Sequence, residues 1–109
     1  RKVARNGRRE EKGGRGGDSA VSTATARAIP TLVELVKNGT NGAKEAAAGA
    51  LGNLANEDDN QASIAAAGAI PPLVELARIG TDDAREAAAG ALANLANDDD
   101  NKVSIAAAG

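Results

Sequence analysis

The chain repeats itself at a spacing of 41 residues. Ala69–Gly109 reads AIPPLVELARIGTDDAREAAAGALANLANDDDNKVSIAAAG, and Ala28–Gly68 is nearly the same text. The shift pairs Ile29 with Ile70, Leu32 with Leu73, Leu51 with Leu92 and Asn53 with Asn94, and 30 of the 41 pairs are identical. Several of the remaining pairs, Lys37/Arg78, Lys44/Arg85 and Glu57/Asp98, exchange like for like. Self-similarity at a fixed spacing of this size marks a repeat architecture, in which each unit buries its apolar face on its neighbours. Fold and function are therefore read per repeat.

One repeat predicts three helices. The first covers about Asn60 to Ala67; Asp58 and Asp59 suit its N-terminus and Gly68 closes it. The second runs from Ile70 to Ile79, with Pro71 and Pro72 in its first turn and Ile70, Leu73, Val74 and Ala77 on one face; Gly80 ends it. The third runs from Asp82 to Asn97, N-capped by Thr81, with a buried stripe of Ala84, Ala88, Leu92 and Leu95. Upstream, Asp18–Arg27 aligns under the end of the repeat as a degenerate copy, with Arg27 where later copies have Gly. The expected organisation is a disordered basic leader at 1–17, units at 18–58 and 59–99, and the first helix of a further unit at 100–109. An array of this kind needs about three units to be stable alone. The segment is therefore expected to be marginal in isolation and to be a piece of a longer protein.

The chain has no Phe, Tyr, Trp, Met, Cys or His. Thiol chemistry, imidazole acid–base catalysis and Cys/His metal chelation are thereby excluded from this segment. It has no GxSxG, Walker or Ser/Lys arrangement, and no base placed to activate a nucleophile. The expectation is a non-enzyme without a cofactor. The acidic runs at 57–59 and 98–100 place carboxylates consecutively, whereas calcium loops alternate their ligands, so helix-start turns are the better reading. Asn38-Gly39-Thr40 matches a glycosylation sequon that has meaning only in a secreted chain. No apolar run approaches the roughly 18 residues of a membrane helix. The expected compartment is the cytoplasm, with the nucleus as a second. Residues 1–19 carry seven Lys/Arg against three Asp/Glu, and 20–109 carry six against twelve, so a basic leader precedes an acidic body. Glu10 and Glu11 interrupt the basic run, and GGRGG at 13–17 has no aromatic beside it, which disfavours nucleic acid as a partner.

A 41-residue unit of short helix, Gly, Ile-Pro helix and a longer helix ending ALxNLA resembles the armadillo repeat family. The wording AAAGALGNLA and GAIPPLVELA is similar to the armadillo arrays of plants and protists. The likeness covers residues 18–109. HEAT repeats are the close structural competitor, without the separate short first helix or this Gly-Ile-Pro junction. The resemblance implies an all-α fold, a right-handed superhelical solenoid whose third helices line a concave groove. It also implies a non-catalytic scaffold binding extended peptide segments of partner proteins. In relatives such as importin alpha, an asparagine near the end of the third helix bonds the peptide backbone; the matching positions here are Asn53 and Asn94. The groove tryptophan four residues earlier falls at Gly49 and Gly90, which disfavours an importin-like nuclear transport adaptor. Two other readings are the substrate-recruiting region of a U-box-type ubiquitin ligase and a membrane-tethered vacuolar or cytoskeletal scaffold.

The spacing of the residues leads to the same surface. Glu86, Gly90 and Asn94 recur at i, i+4, i+8, on the side away from Leu92 and Leu95, and Glu45, Gly49 and Asn53 repeat that stripe one unit earlier. Each stripe offers a carboxylate, a bare stretch of backbone and an amide that is both donor and acceptor, which suits extended peptides, basic ones included. The competing reading is that the asparagines satisfy helix-end carbonyls and the glutamates are solvated surface.

Overall fold

The computed structural model describes residues 22–109; the leader at 1–17 and the start of the degenerate copy lie outside them. Six α-helices and no strand occur among the described residues: α1 Thr23–Asn38, α2 Asn41–Leu54, α3 Asp58–Ala66, α4 Ile70–Ile79, α5 Asp82–Leu95 and α6 Asp99–Ala108. No single described helix is long and apolar enough to cross a membrane.

The helix boundaries follow from local chemistry. The hydroxyls of Thr40 and Thr81 accept from the backbone N–H groups of Ala43 and Ala84 at 3.1 and 3.2 Å, capping α2 and α5. The Asp98 carboxylate does the same for Asn101 N–H at the start of α6, at 3.1 Å. Glu57, at the equivalent place before α3, makes no such bond. One extra methylene separates a good cap from a poor one, so the Glu57/Asp98 exchange is not conservative here. The expected third helix stops at Leu95 rather than Asn97, where Asn97 N–H and Asp98 N–H bond back three residues to Asn94 and Leu95 and tighten the last turn. The expected first helix starts at Asp58 rather than Asn60, and both Asp58 and Asp59 fall in its first turn.

Gly68 makes the corner between α3 and α4. At φ 87° it is the one described glycine with positive φ; its N–H bonds Ala65 C=O at 3.0 Å and Ala69 N–H reaches Ile64 C=O at 3.4 Å. This is the paired closure that a left-handed residue permits after a helix, and α3 and α4 meet there at 87°. Arg27 occupies the same place one repeat earlier, and a side chain makes that backbone conformation costly. The chain accordingly runs straight through this position: α1 continues unbroken across Arg27 for its 16 described residues. Pro30 therefore lies inside α1 instead of in a first turn, and removes one backbone donor from it.

The core is aliphatic and alanine-rich. Leu51, Ile64, Leu73 and Leu95 are its largest fully buried side chains. Of the stripe expected on α5, Ala84, Ala88 and Leu95 are buried; Leu92 is only half-buried and Ala91 takes its place inside. The reason is neighbouring structure. Leu92's counterpart Leu51 is covered because α2 and α5 pack along their lengths, the most extensive contact among the described helices. Small residues let these two helices close up: a Cβ on Gly52 would sit 3.4 Å from Ala91 Cα.

Three buried polar side chains tie the helices together, and sequence reasoning did not single them out. Asn60 donates to Leu54 C=O at 2.8 Å and Gln61 to Ala55 C=O at 2.9 Å. Asn101 donates to Leu95 C=O at 3.0 Å and to Gln61 C=O at 3.2 Å. Leu54, Ala55 and Leu95 C=O lie at or just past the C-terminus of the preceding long helix, where α-helical donors run out, and Leu54 and Leu95 otherwise accept only turn bonds of 3.2 Å from Glu57 and Asp98 N–H. The signal was an Asn three residues after the cap position, present in both copies.

Candidate functional site

The two stripes lie on α2 and α5, the helices packed side by side. Glu45 and Asn53 are exposed and Gly49 is half-buried on α2; on α5, Glu86 and Gly90 are exposed and Asn94 is half-buried. Neither glutamate is in an ion pair among the described residues; the pairs formed are Arg85–Asp82 at 3.9 Å and Lys102–Asp99 at 3.5 Å. Both stripe carboxylates are exposed, and no cation among the described residues neutralises them.

At Gly49 and Gly90 a built Cβ meets no atom within 4 Å. Backbone is bare at both positions and the space above it is open. Nothing in the packing demands glycine there, in contrast to Gly52. Gly49→Ala and Gly90→Ala are therefore expected to stabilise the fold, by ~0.5–1 kcal/mol each, through higher helix propensity alone. Urea unfolding of the two variants checks this; a loss of stability would mean that the glycines are structural.

Asn94 is the member that links the stripes. Its Nδ2 donates to Gly52 C=O at 2.8 Å, across 42 residues of sequence. Gly52 C=O is in the last turn of α2 and lacks an intrahelical donor, so this contact supports the reading that the asparagine satisfies a helix-end carbonyl. It does not exhaust the side chain. One N–H and the Oδ1 acceptor remain. The carbonyl equivalent to Gly52 for Asn53 belongs to residue 11, outside the described residues, and Asn53 is exposed.

A cleft of ≈ 460 Å³ opens elsewhere, between the end of α1, the start of α2, and α4. Val36, Leu76 and Ile79 form its apolar wall, with Lys37, Lys44 and Glu75 at its sides, and none of the six stripe residues lines it. No group of three or more Asp/Glu side chains able to hold a metal ion occurs among the described residues. The stripes therefore form an open, polar surface on packed helices, apart from that cleft.

Comparison with known families gives two matches. A HEAT-like repeat family matches residues 41–95, from the start of α2 to the end of α5, and an armadillo/beta-catenin-like repeat family matches residues 24–56, covering α1 and α2. Neither a curated protein nor a solved structure gives a significant match. Repeats of these kinds generally mediate protein–protein interaction and are typically non-catalytic. With six helices, no strand among the described residues and these two matches, the chain is a helical repeat solenoid and belongs to the armadillo/HEAT repeat family.

Proposed function

We propose that this chain is a non-catalytic interaction module that binds extended peptide segments of partner proteins along the α2–α5 face. In this reading each 41-residue unit is an armadillo-type set of three helices, α3–α4–α5 being the complete one, and successive units wind as a right-handed superhelix with α2 and α5 on the concave side. The separate short helix α3 and the Gly68 corner favour the armadillo form over the HEAT form.

The observation that carries the proposal is the chemistry left over on the exposed stripes. An extended peptide unit presents one N–H and one C=O, and Asn94 retains one acceptor and one donor after bonding Gly52. Open space over Gly49 and Gly90 lets a peptide backbone approach the helices closely. Glu45 and Glu86 favour basic side chains and steer their approach. Open-face recognition of this kind uses main-chain hydrogen bonds for affinity and needs no enclosed cavity.

The test begins by selecting binders from a random library of about 12-residue peptides. Asn53→Ala combined with Asn94→Ala should weaken the selected peptides by about 10- to 30-fold, the equivalent of two lost hydrogen bonds. Asn53→Ala alone is the cleaner probe, because it leaves the Asn94–Gly52 bond in place; it should lower affinity with an unchanged melting temperature. Affinities that do not move in either variant would remove the groove assignment.

A further inference from the structure

The cleft between α1, α2 and α4 lies where one unit meets the next, apart from the stripes. Buried Val36 and Leu76 form its floor, and Ile79, 71% exposed, stands beside them as an uncovered aliphatic side chain. The last turn of α1 brings Lys37 to this space and the start of α2 brings Lys44. Glu75, on α4, is the one carboxylate among the lining residues.

The second copy uses its cation differently. One repeat on, Lys44 is replaced by Arg85, and Asn41-Gly42 by Asp82-Asp83. Arg85 is engaged within the fold: its Nη1 lies 3.9 Å from Asp82, and its Nε donates to Ala77 C=O at 3.3 Å. α2 has no acidic residue in its first turn. Lys44 is half-buried, yet among the described residues it makes neither an ion pair nor a hydrogen bond, and Lys37 makes none either. The carboxylate one turn before Lys37, that of Glu34, accepts instead from Asn38 Nδ2. Two cations without an intramolecular anion thus flank an aliphatic surface, in a body where residues 20–109 carry six Lys/Arg against twelve Asp/Glu.

We propose that this cleft is a second binding site, for an acidic peptide segment of a partner protein that carries an aliphatic side chain next to a carboxylate. The aliphatic group covers Ile79 and reaches the floor made by Val36 and Leu76, and the carboxylate is held between Lys37 and Lys44. At ≈ 460 Å³ the cleft has room for such a group. Its sides are exposed at Lys37, Asn41, Glu75 and Ile79, whereas a small free ligand needs most of its surface buried. A peptide lying across the opening covers what the cleft leaves bare. Glu75 accepts a peptide N–H and repels a second acid placed on the α4 side. The stripes, with Glu45 and Glu86, suit basic segments, so the two surfaces take segments of opposite charge.

Fluorescence anisotropy tests the proposal, with the whole chain and a dye-labelled peptide of about eight residues that alternates aspartate with leucine. Saturable binding below about 1 mM is expected. It should weaken about 3- to 10-fold in Lys37→Gln, in Lys44→Gln, and when asparagine replaces aspartate in the probe. Ile79→Ser should weaken it about 5-fold, and Glu75→Gln should strengthen it about 2-fold. Asn41→Asp separates binding from folding. It gives Lys44 the partner that Arg85 has and suits a helix N-terminus, so binding should weaken by about 3- to 10-fold with no fall in melting temperature. Asn53→Ala should change nothing, and binding lost in that variant would put the peptide on the stripes instead and overturn the proposal. Absence of saturable binding, or binding indifferent to Lys37→Gln, Lys44→Gln and Asn41→Asp, also overturns it. So does octanoate that binds as tightly as the peptide, since the cleft would then be a site for free alkyl carboxylates.

Discussion

Leu51→Ala is expected to remove most of the stability of the fold, while Leu92→Ala, the same change at the same place in the next repeat, is expected to cost far less. Leu51 is fully buried between α2 and α5, and Leu92 is half-buried on a face that no described helix covers. Truncating a buried leucine costs ~2–5 kcal/mol, from lost transfer energy and the cavity left behind. A domain of this size has only ~5–15 kcal/mol in total. The core offers little to compensate, since it contains no aromatic residue and many alanines. At Leu92 the surroundings are partly solvent, no closed cavity forms, and about 1 kcal/mol is expected. Urea unfolding of the two variants measures both. Equal losses would mean that position within the repeat, rather than the neighbouring helix, decides burial.

The second large effect is at Asn101. Its amide donates to Leu95 C=O and Gln61 C=O from a site that is 3% exposed, so that α6 is held both to the end of α5 and to α3. Asn101→Ala is expected to cost ~1–3 kcal/mol, through the loss of two hydrogen bonds made out of contact with water. Asn101→Asp should be worse than alanine. It retains the shape but directs a carboxylate at two carbonyl oxygens in a site shielded from water. Thermal unfolding of the two variants gives the ranking, and an aspartate as stable as wild type would show that the bonds contribute nothing.

These two sites also show what could be read from the residues alone. α4 was legible to the residue, because Pro71 and Pro72 mark its start and Gly80 its end, and the Thr81 cap was legible from its position before two aspartates. The fused α1 was foreshadowed by Arg27 in a glycine position. That the helix would continue straight across Arg27 required knowing the φ of 87° that Gly68 adopts. Leu92 was placed in the core by helical spacing, which says which side of a helix is apolar but not whether anything lies against it. Asn60, Gln61 and Asn101 were hidden among acidic residues that look solvated; their burial depends on the chain doubling back within six residues and on the adjoining helix. At the candidate site, the exposure of Glu45, Asn53, Glu86 and Gly90 follows from the 3.6-residue period. The Asn94–Gly52 bond does not, because its partners are 42 residues apart and meet only when the units stack.

The most direct test of peptide binding on the α2–α5 face is a residue-by-residue map of amide chemical shifts as a library-selected peptide is titrated into the isotopically labelled chain. Perturbations concentrated at Glu45, Gly49, Asn53, Glu86, Gly90 and Asn94, and diminished by Asn53→Ala, are the expected result. Perturbations centred on α3 and α4, or on the cleft beside Lys37 and Lys44, with the six stripe amides unmoved, would contradict it.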